Sequence, residues 1–204
     1  MLKIENDIQL KTQSDAFDPS RIFKSSFVDL DKEPKPLEVL FYMGKDIQGK
    51  RVPVGTRGEF SSIVAQSKMK KSFLKSIIES AVIGGNSIKY TNEIVPERKI
   101  DGYVISIDTE QGEYYAHKTF KRVERITGER YEKYKPFQMR KINIKDRVSF
   151  IDWLVFESEF SGKIDFITID GVADLVSNTN DLEQSVEIAE KLLKWSAEGN
   201  CHII

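Results

Sequence analysis

The chain reads as an α/β protein of three layers, with a mainly parallel sheet between helices. Two observations predict this. Compact β-branched runs, Tyr103-Val104-Ile105-Ser106-Ile107-Asp108 and Phe166-Ile167-Thr168-Ile169-Asp170, alternate with longer segments whose apolar residues recur at helical spacing. Strands that alternate with helices place crossover helices over the faces of a parallel sheet. The strong runs also close on acidic and turn residues, the position from which open α/β sheets present ligand groups.

Residues 1–36 are polar, mixed in charge and end on Glu33-Pro34-Lys35-Pro36, which predicts an N-terminal arm ahead of a core spanning 37–204. Leu37 to Met43 and Arg51 to Val54 are β-type runs around Gly44 and Gly49, the pattern of a hairpin. A short apolar strand is expected through Val64. The helix after it carries Phe73, Leu74, Ile77, Ile78, Ala81 and Val82 on one stripe, with Gly84-Gly85 as its stop. Residues 86–99 read as a polar connection. After the strand ending at Asp108 come a basic helix from Tyr115 to Thr127 closed by Gly128, a strand over Phe137 to Ile144, and a helix from Asp146 to Ser158. The strand ending at Asp170 is followed by a helix from Asp181 past Trp195, and Cys201-His202-Ile203-Ile204 opens another strand.

At 204 residues the chain is long enough for one well-buried domain. Its formal charge of -1 excludes the global basic field of a nucleic-acid coat protein, though not a local basic patch. The single cysteine, Cys201, cannot form an internal disulfide, which fits a reducing compartment. The start lacks the apolar stretch of a signal peptide, and no run approaches the ~18 apolar residues of a membrane span. A cytoplasmic protein is expected.

The segment from Glu59 to Phe73 is the most informative. Ala65-Gln66-Ser67-Lys68-Met69-Lys70-Lys71-Ser72 follows the layout of a nucleotide phosphate-binding loop, G-x-x-x-x-G-K-[ST], with Ala65 and Lys70 at the glycine positions and Phe73 continuing the helix. Backbone N–H groups at a helix N-terminus face an anion and the helix dipole favours it. Lys71 can reach the outer phosphates and Ser72 can ligate Mg²⁺. A Lys-Lys-Ser helix start is more often only a solvated terminus, so the loop draws its weight from context.

That context is a set of strand ends. Asp108-Thr109-Glu110 and Asp170-Gly171 put carboxylates at the sheet edge where the loop should also lie. Asp170 can join Ser72 in holding Mg²⁺, and Glu110 can position or deprotonate an attacking water. Singly, Asp170 is also an ordinary strand-to-turn residue and Glu110 a solvated charge; their coincidence is what points to a site.

From Leu37 to Ile204 the chain resembles the ATPase core of the RecA superfamily, particularly the single-domain proteins related to RepA and DnaB-type helicases of plasmids, phages and mobile elements. Ile107-Asp108-Thr109-Glu110 resembles the strand end whose glutamate is the catalytic base, and Phe166 to Leu175 resembles the Walker B segment. Asn180 to Ser185 and Trp195 to Ile204 are similar to segments of the same group. The resemblance implies a Mg²⁺-dependent ATPase acting on DNA, in which Lys71 and Glu110 serve catalysis and single-stranded DNA and further copies of the chain, in a ring or filament, are partners. Two departures stand out. Ala65 and Lys70 must adopt backbone geometry that glycine reaches most easily. The chain stops at Ile204, where a polar sensor segment is expected, so the core is expected to lack its C-terminal strands.

His117 and His202 lack the partners of a zinc site and are expected to be solvated or structural. Lys118, Lys121, Arg122, Arg125 and Arg130, with Tyr114, Tyr115, Phe120 and Tyr131 nearby, form the best nucleic-acid candidate, against the alternative of a solvated amphipathic helix. Besides the ATPase, two functions remain open: a nucleotide-binding adaptor with little turnover and a nonenzymatic scaffold.

Overall fold

The computed structural model describes residues 17–66, 69–84 and 93–204. The chain divides after Pro36 into two compact units. In the first, helix α1 (Pro19–Ser26) starts at Asp18, whose carboxylate accepts the N–H groups of Ser20 and Arg21 at 3.0 and 3.2 Å. Ile22, Phe23 and Phe27 are exposed, and the two phenylalanine rings stack at 5.8 Å.

The second unit holds two sheets. The smaller is antiparallel, in the order β2-β1-β3, from β1 (Val39–Lys45), β2 (Arg51–Thr56) and β3 (Ile94–Pro96). The hairpin forms where expected. Strand β3 corrects the polar connection expected over 86–99: Ile94 is buried with the helix that follows the loop, which outweighs its polar surroundings. The expected stop at Gly85 lies outside the described residues.

The larger sheet is parallel, in the order β5-β4-β6-β7, from β4 (Tyr103–Asp108), β5 (Tyr134–Gln138), β6 (Ile164–Asp170) and β7 (His202–Ile203). Helices α2 (Lys71–Gly84) and α3 (Glu113–Thr127) cover one face, and α4 (Ile144–Phe156) and α5 (Leu182–Gly199) cover the other. Strand alternation sorts the two cores. Val104 and Phe166 pack with Ile77, Ile78 and Ala81 of α2, whereas Ile105, Ile107, Ile167 and Ile169 pack with Ile151, Leu154 and Trp195.

Three boundaries differ from expectation, each for a local reason. The strand expected over 137–144 lies at Tyr134–Gln138, because Asn143 caps α4 by accepting the Asp146 N–H at 3.0 Å. Its Pro136 is tolerated because β5 is an edge strand. Helix α3 begins at Glu113, behind Gly112. The strand expected through Val64 is reduced to a bridge at Phe60, which runs parallel to Ile203 on the free side of β7. Val64 itself is 92% exposed and outside any strand.

From β4 the chain winds outward to β5 and then returns across β4 to β6, so the winding direction reverses between β4 and β6. The carboxyl ends of these two strands therefore border the crevice where open α/β sheets bind ligands. No helix among the described residues is long and apolar enough to cross a membrane.

Candidate functional site

The crevice is built from two matched strand ends. Ile107 pairs with Ile169 and Asp108 with Asp170. Asp108 is 0% and Asp170 8% exposed. One oxygen of Asp108 accepts the backbone N–H groups of Glu110 and Gln111 at 3.0 and 2.7 Å, which turns the chain out of β4. The other oxygen of Asp108, and one of Asp170, are buried without a hydrogen-bond partner. The Thr109 hydroxyl lies 3.0 Å from the carbonyls of Asp170 and Gly171 and from the Asp174 carboxylate, pinning the two strand ends together. Gly171 sits at φ +103°, and a Cβ there would collide with Thr109 Oγ1.

The loop arrives from the other side. Lys70, standing at the second glycine position, adopts φ +61°, the left-handed geometry the glycine pattern demands. Its carbonyl accepts the N–H groups of Phe73 and Leu74 at 3.0 and 3.1 Å, so α2 starts directly behind it. The first turn of α2 contains no acidic residue. Lys70 and Lys71 thus stand at the positive end of a helix dipole, an arrangement that favours a bound anion. Ser72 is tied to the strand end: its hydroxyl accepts from the Gln111 side chain at 3.3 Å, and Gln111 is held by Gln138 at 2.8 Å.

A cavity of about 170 Å³ opens between these parts, and Lys71, Glu110 and Asp170 all line it. The same three residues also line an adjoining groove with Met69, Lys70, Ser72 and Phe73. The expected loop residues thus largely converge with the expected carboxylates. Ala65 and Gln66 line neither space, and Ser67 and Lys68 lie outside the described residues.

The charges press on one another. Burial raises the Asp108 carboxyl above the ordinary range; the Asp170 charge adds to this, while the Gln111 N–H and Lys75 oppose it. Burial likewise raises Glu110, with Asp170 adding and Lys71 opposing. A group of three or more His, Cys, Asp or Glu placed to hold a metal is not found among the described residues. Mg²⁺ does not need one, since it is commonly held by one or two carboxylates with phosphate oxygens and water. The unpartnered oxygens of Asp108 and Asp170 fit that donor set.

Of the site residues, Asp108 was placed at the sheet edge by the sequence but given no role there, and Lys75 escaped it. Asp108 ends its strand as Asp170 does, and the shared pattern Ile-Ser/Thr-Ile-Asp was the available signal. Lys75 is 5% exposed and lines the cavity, donating to the Ser106 hydroxyl at 3.2 Å. It lies one turn past Lys71 on the sheet-facing stripe. Behind it Thr168 joins Ser106 at 3.2 Å and also donates to Glu79, which accepts from the Tyr134 hydroxyl at 3.0 Å. A chain of buried polar groups thus runs from the cavity under the sheet to its edge strand.

His202 is structural. Its Nδ1 lies 3.0 Å from the Thr56 carbonyl, which can only accept, so Nε2 accepts the Ser61 hydroxyl at 3.0 Å. Burial lowers its pKa. His117 is exposed. Of the proposed basic patch, Tyr131 turns inward to donate to the Gly102 carbonyl at 2.9 Å, and Arg122 turns to the Ser76 hydroxyl at 3.2 Å. No protein-family model and no curated protein matches this chain.

Proposed function

We propose that the protein binds ATP with Mg²⁺ at the β4/β6 crevice and hydrolyses it, as a RecA-like ATPase acting on DNA. The observation that carries this reading is the convergence of Lys71, Glu110 and Asp170, distant in sequence, around one cavity at the switch point of a parallel sheet. Lys71 and the first amides of α2 hold the β- and γ-phosphates. Ser72, Asp170 and Asp108 would hold Mg²⁺, which would supply positive charge beside the phosphate oxygens. Glu110, raised by burial, takes a proton from water as its oxygen attacks the γ-phosphorus; the bond to ADP breaks and inorganic phosphate leaves. Assembly into a ring or filament and stimulation by single-stranded DNA belong to the same proposal.

Binding without turnover is the competing reading, favoured by the non-glycine residues at Ala65 and Lys70. One pair of measurements separates the two. A fluorescent ATP analogue should bind the full chain with Mg²⁺, lose affinity on chelation with EDTA, and bind Lys71→Ala at least tenfold more weakly. Phosphate release then reports hydrolysis. Equal binding by Lys71→Ala overturns the site; binding with no release, with or without single-stranded DNA, establishes the adaptor.

A further inference from the structure

Helix α3 has two faces of different use. The inward face serves the crevice: Thr119 donates to Gln111 at 3.2 Å, and Arg122 reaches the Ser72 carbonyl at 3.4 Å. The outward face carries Tyr114, Lys118, Lys121 and Arg125, spaced by four, three and four residues, a single stripe along the helix. Tyr115 stands beside Tyr114 with ring centroids 5.3 Å apart, and the two are 66% and 64% exposed. The Lys118 ammonium lies 4.3 Å from the Tyr114 ring centre. Lys121 pairs with Glu124 at 2.5 Å, and the Glu129 carboxylate is taken by Lys99 at 3.1 Å. Lys118 and Arg125 make no ion pair among the described residues. Arg125 instead folds back on the Lys118 and Lys121 carbonyls at 3.3 and 3.4 Å, which fixes its place on the helix.

Solvation alone accounts for the cations but not for the rings. Exposed aromatic rings followed along the helix by cations, of which Lys118 and Arg125 are free of ion pairs among the described residues, match a polyanion that also offers flat apolar faces. We infer that this face of α3 binds single-stranded nucleic acid, with Tyr114 and Tyr115 stacking on unpaired bases and Lys118, Lys121 and Arg125 following the phosphates. From Tyr114 to Arg125 the helix extends about 16 Å, enough for its three cations to follow the backbone of one strand. A duplex keeps its bases stacked within and offers the rings nothing. The inference rests on the nucleic-acid half of the function proposed above and not on its nucleotide half.

The test is the anisotropy of a labelled oligothymidylate titrated with the full chain, without nucleotide, over a salt series. Three phosphate contacts give log K against log[salt] a slope of roughly -2, from about -0.7 per contact on a single strand. The double variant Lys118→Gln/Arg125→Gln should bind at least tenfold more weakly and flatten that slope by about 1.4. Tyr114→Ala/Tyr115→Ala should lose roughly 30-fold or more, from about 1–3 kcal/mol per stacked base, with the slope retained, because stacking carries no counterions. All these side chains are exposed, so unchanged melting of the variants is expected and serves as the folding control. Lys71→Ala should bind the oligonucleotide as the parent does, so loss of the nucleotide reading leaves this result standing. No binding by the parent, equal binding of duplex, unchanged affinity in the tyrosine variant, or full competition by polyglutamate overturns the inference.

Discussion

Asp108 and Asp170 are the last register partners of the β4–β6 ladder, and each keeps one buried carboxylate oxygen without a hydrogen bond. The strands behind them match residue for residue, with Ile105, Ser106 and Ile107 opposite Ile167, Thr168 and Ile169. Like charges brought together away from water cost stability unless a cation is placed between them.

Asp108→Asn should therefore stabilise the ligand-free protein, by about 1 kcal/mol. The amide oxygen still accepts the Glu110 and Gln111 N–H groups while the charge is gone. The pH dependence has a defined sign. The folded carboxyl titrates above its ordinary value of 3.8, so folding favours its protonated form. The gain from Asp108→Asn is then full above the raised pKa and disappears as pH falls from there towards 3.8. Chemical denaturation over a pH series checks this; a variant less stable than the parent at neutral pH refutes it.

Glu110→Gln separates binding from chemistry. The side chain lies at the mouth of the cavity and its role is on water, so nucleotide affinity should stay within a few-fold of the parent. Phosphate release should fall by about 10²–10⁴. A parallel loss of affinity would place Glu110 on the nucleotide instead.

Lys70→Gly tests the loop. A side chain held at left-handed φ costs roughly 1–2 kcal/mol, which glycine does not incur. The variant should melt higher without ligand, by a few degrees for a domain of this size. An unchanged or lower melting temperature would mean that Lys70 contributes interactions that offset its backbone strain.

His202 sets an acid limit. Its folded pKa lies below the ordinary 6.5, so the unfolded chain takes up a proton first as pH falls. Its stabilising effect is complete above 6.5 and declines below it, by at most about 1.4 kcal/mol per pH unit. His202→Gln should remove this slope between about pH 7 and the folded pKa, as read by denaturation midpoints. A slope that survives the substitution assigns it to other groups.

The parallel sheet and the position of Glu110 and Asp170 were legible because β4 and β6 are strong apolar runs with polar ends. The pre-loop strand was not, because its apolar residues outrun its partner: β7 offers pairing near Ile203, and Val64 projects beyond it. Strand β3 was hidden because a strand of 3 residues depends on a distant neighbour, β1, rather than on its own pattern. Lys75 was hidden because a lysine on a buried stripe reads as an interruption of it. The Ser106 hydroxyl beneath its ammonium and the Phe120 ring 5.4 Å from it give that lysine a place.

The segment entering the loop is held to the sheet by a narrow seam, in which Ser61 N–H donates to Ile203, Ile203 N–H donates to Glu59, and His202 accepts the Ser61 hydroxyl. In hydrogen-exchange terms this seam is a separate opening unit, because few bonds must break to release it. The Ser61 amide should exchange through a local fluctuation, while amides between β4 and β6 wait for global unfolding. Opening of that seam would leave the paired carboxylates of β4 and β6 in place beneath it.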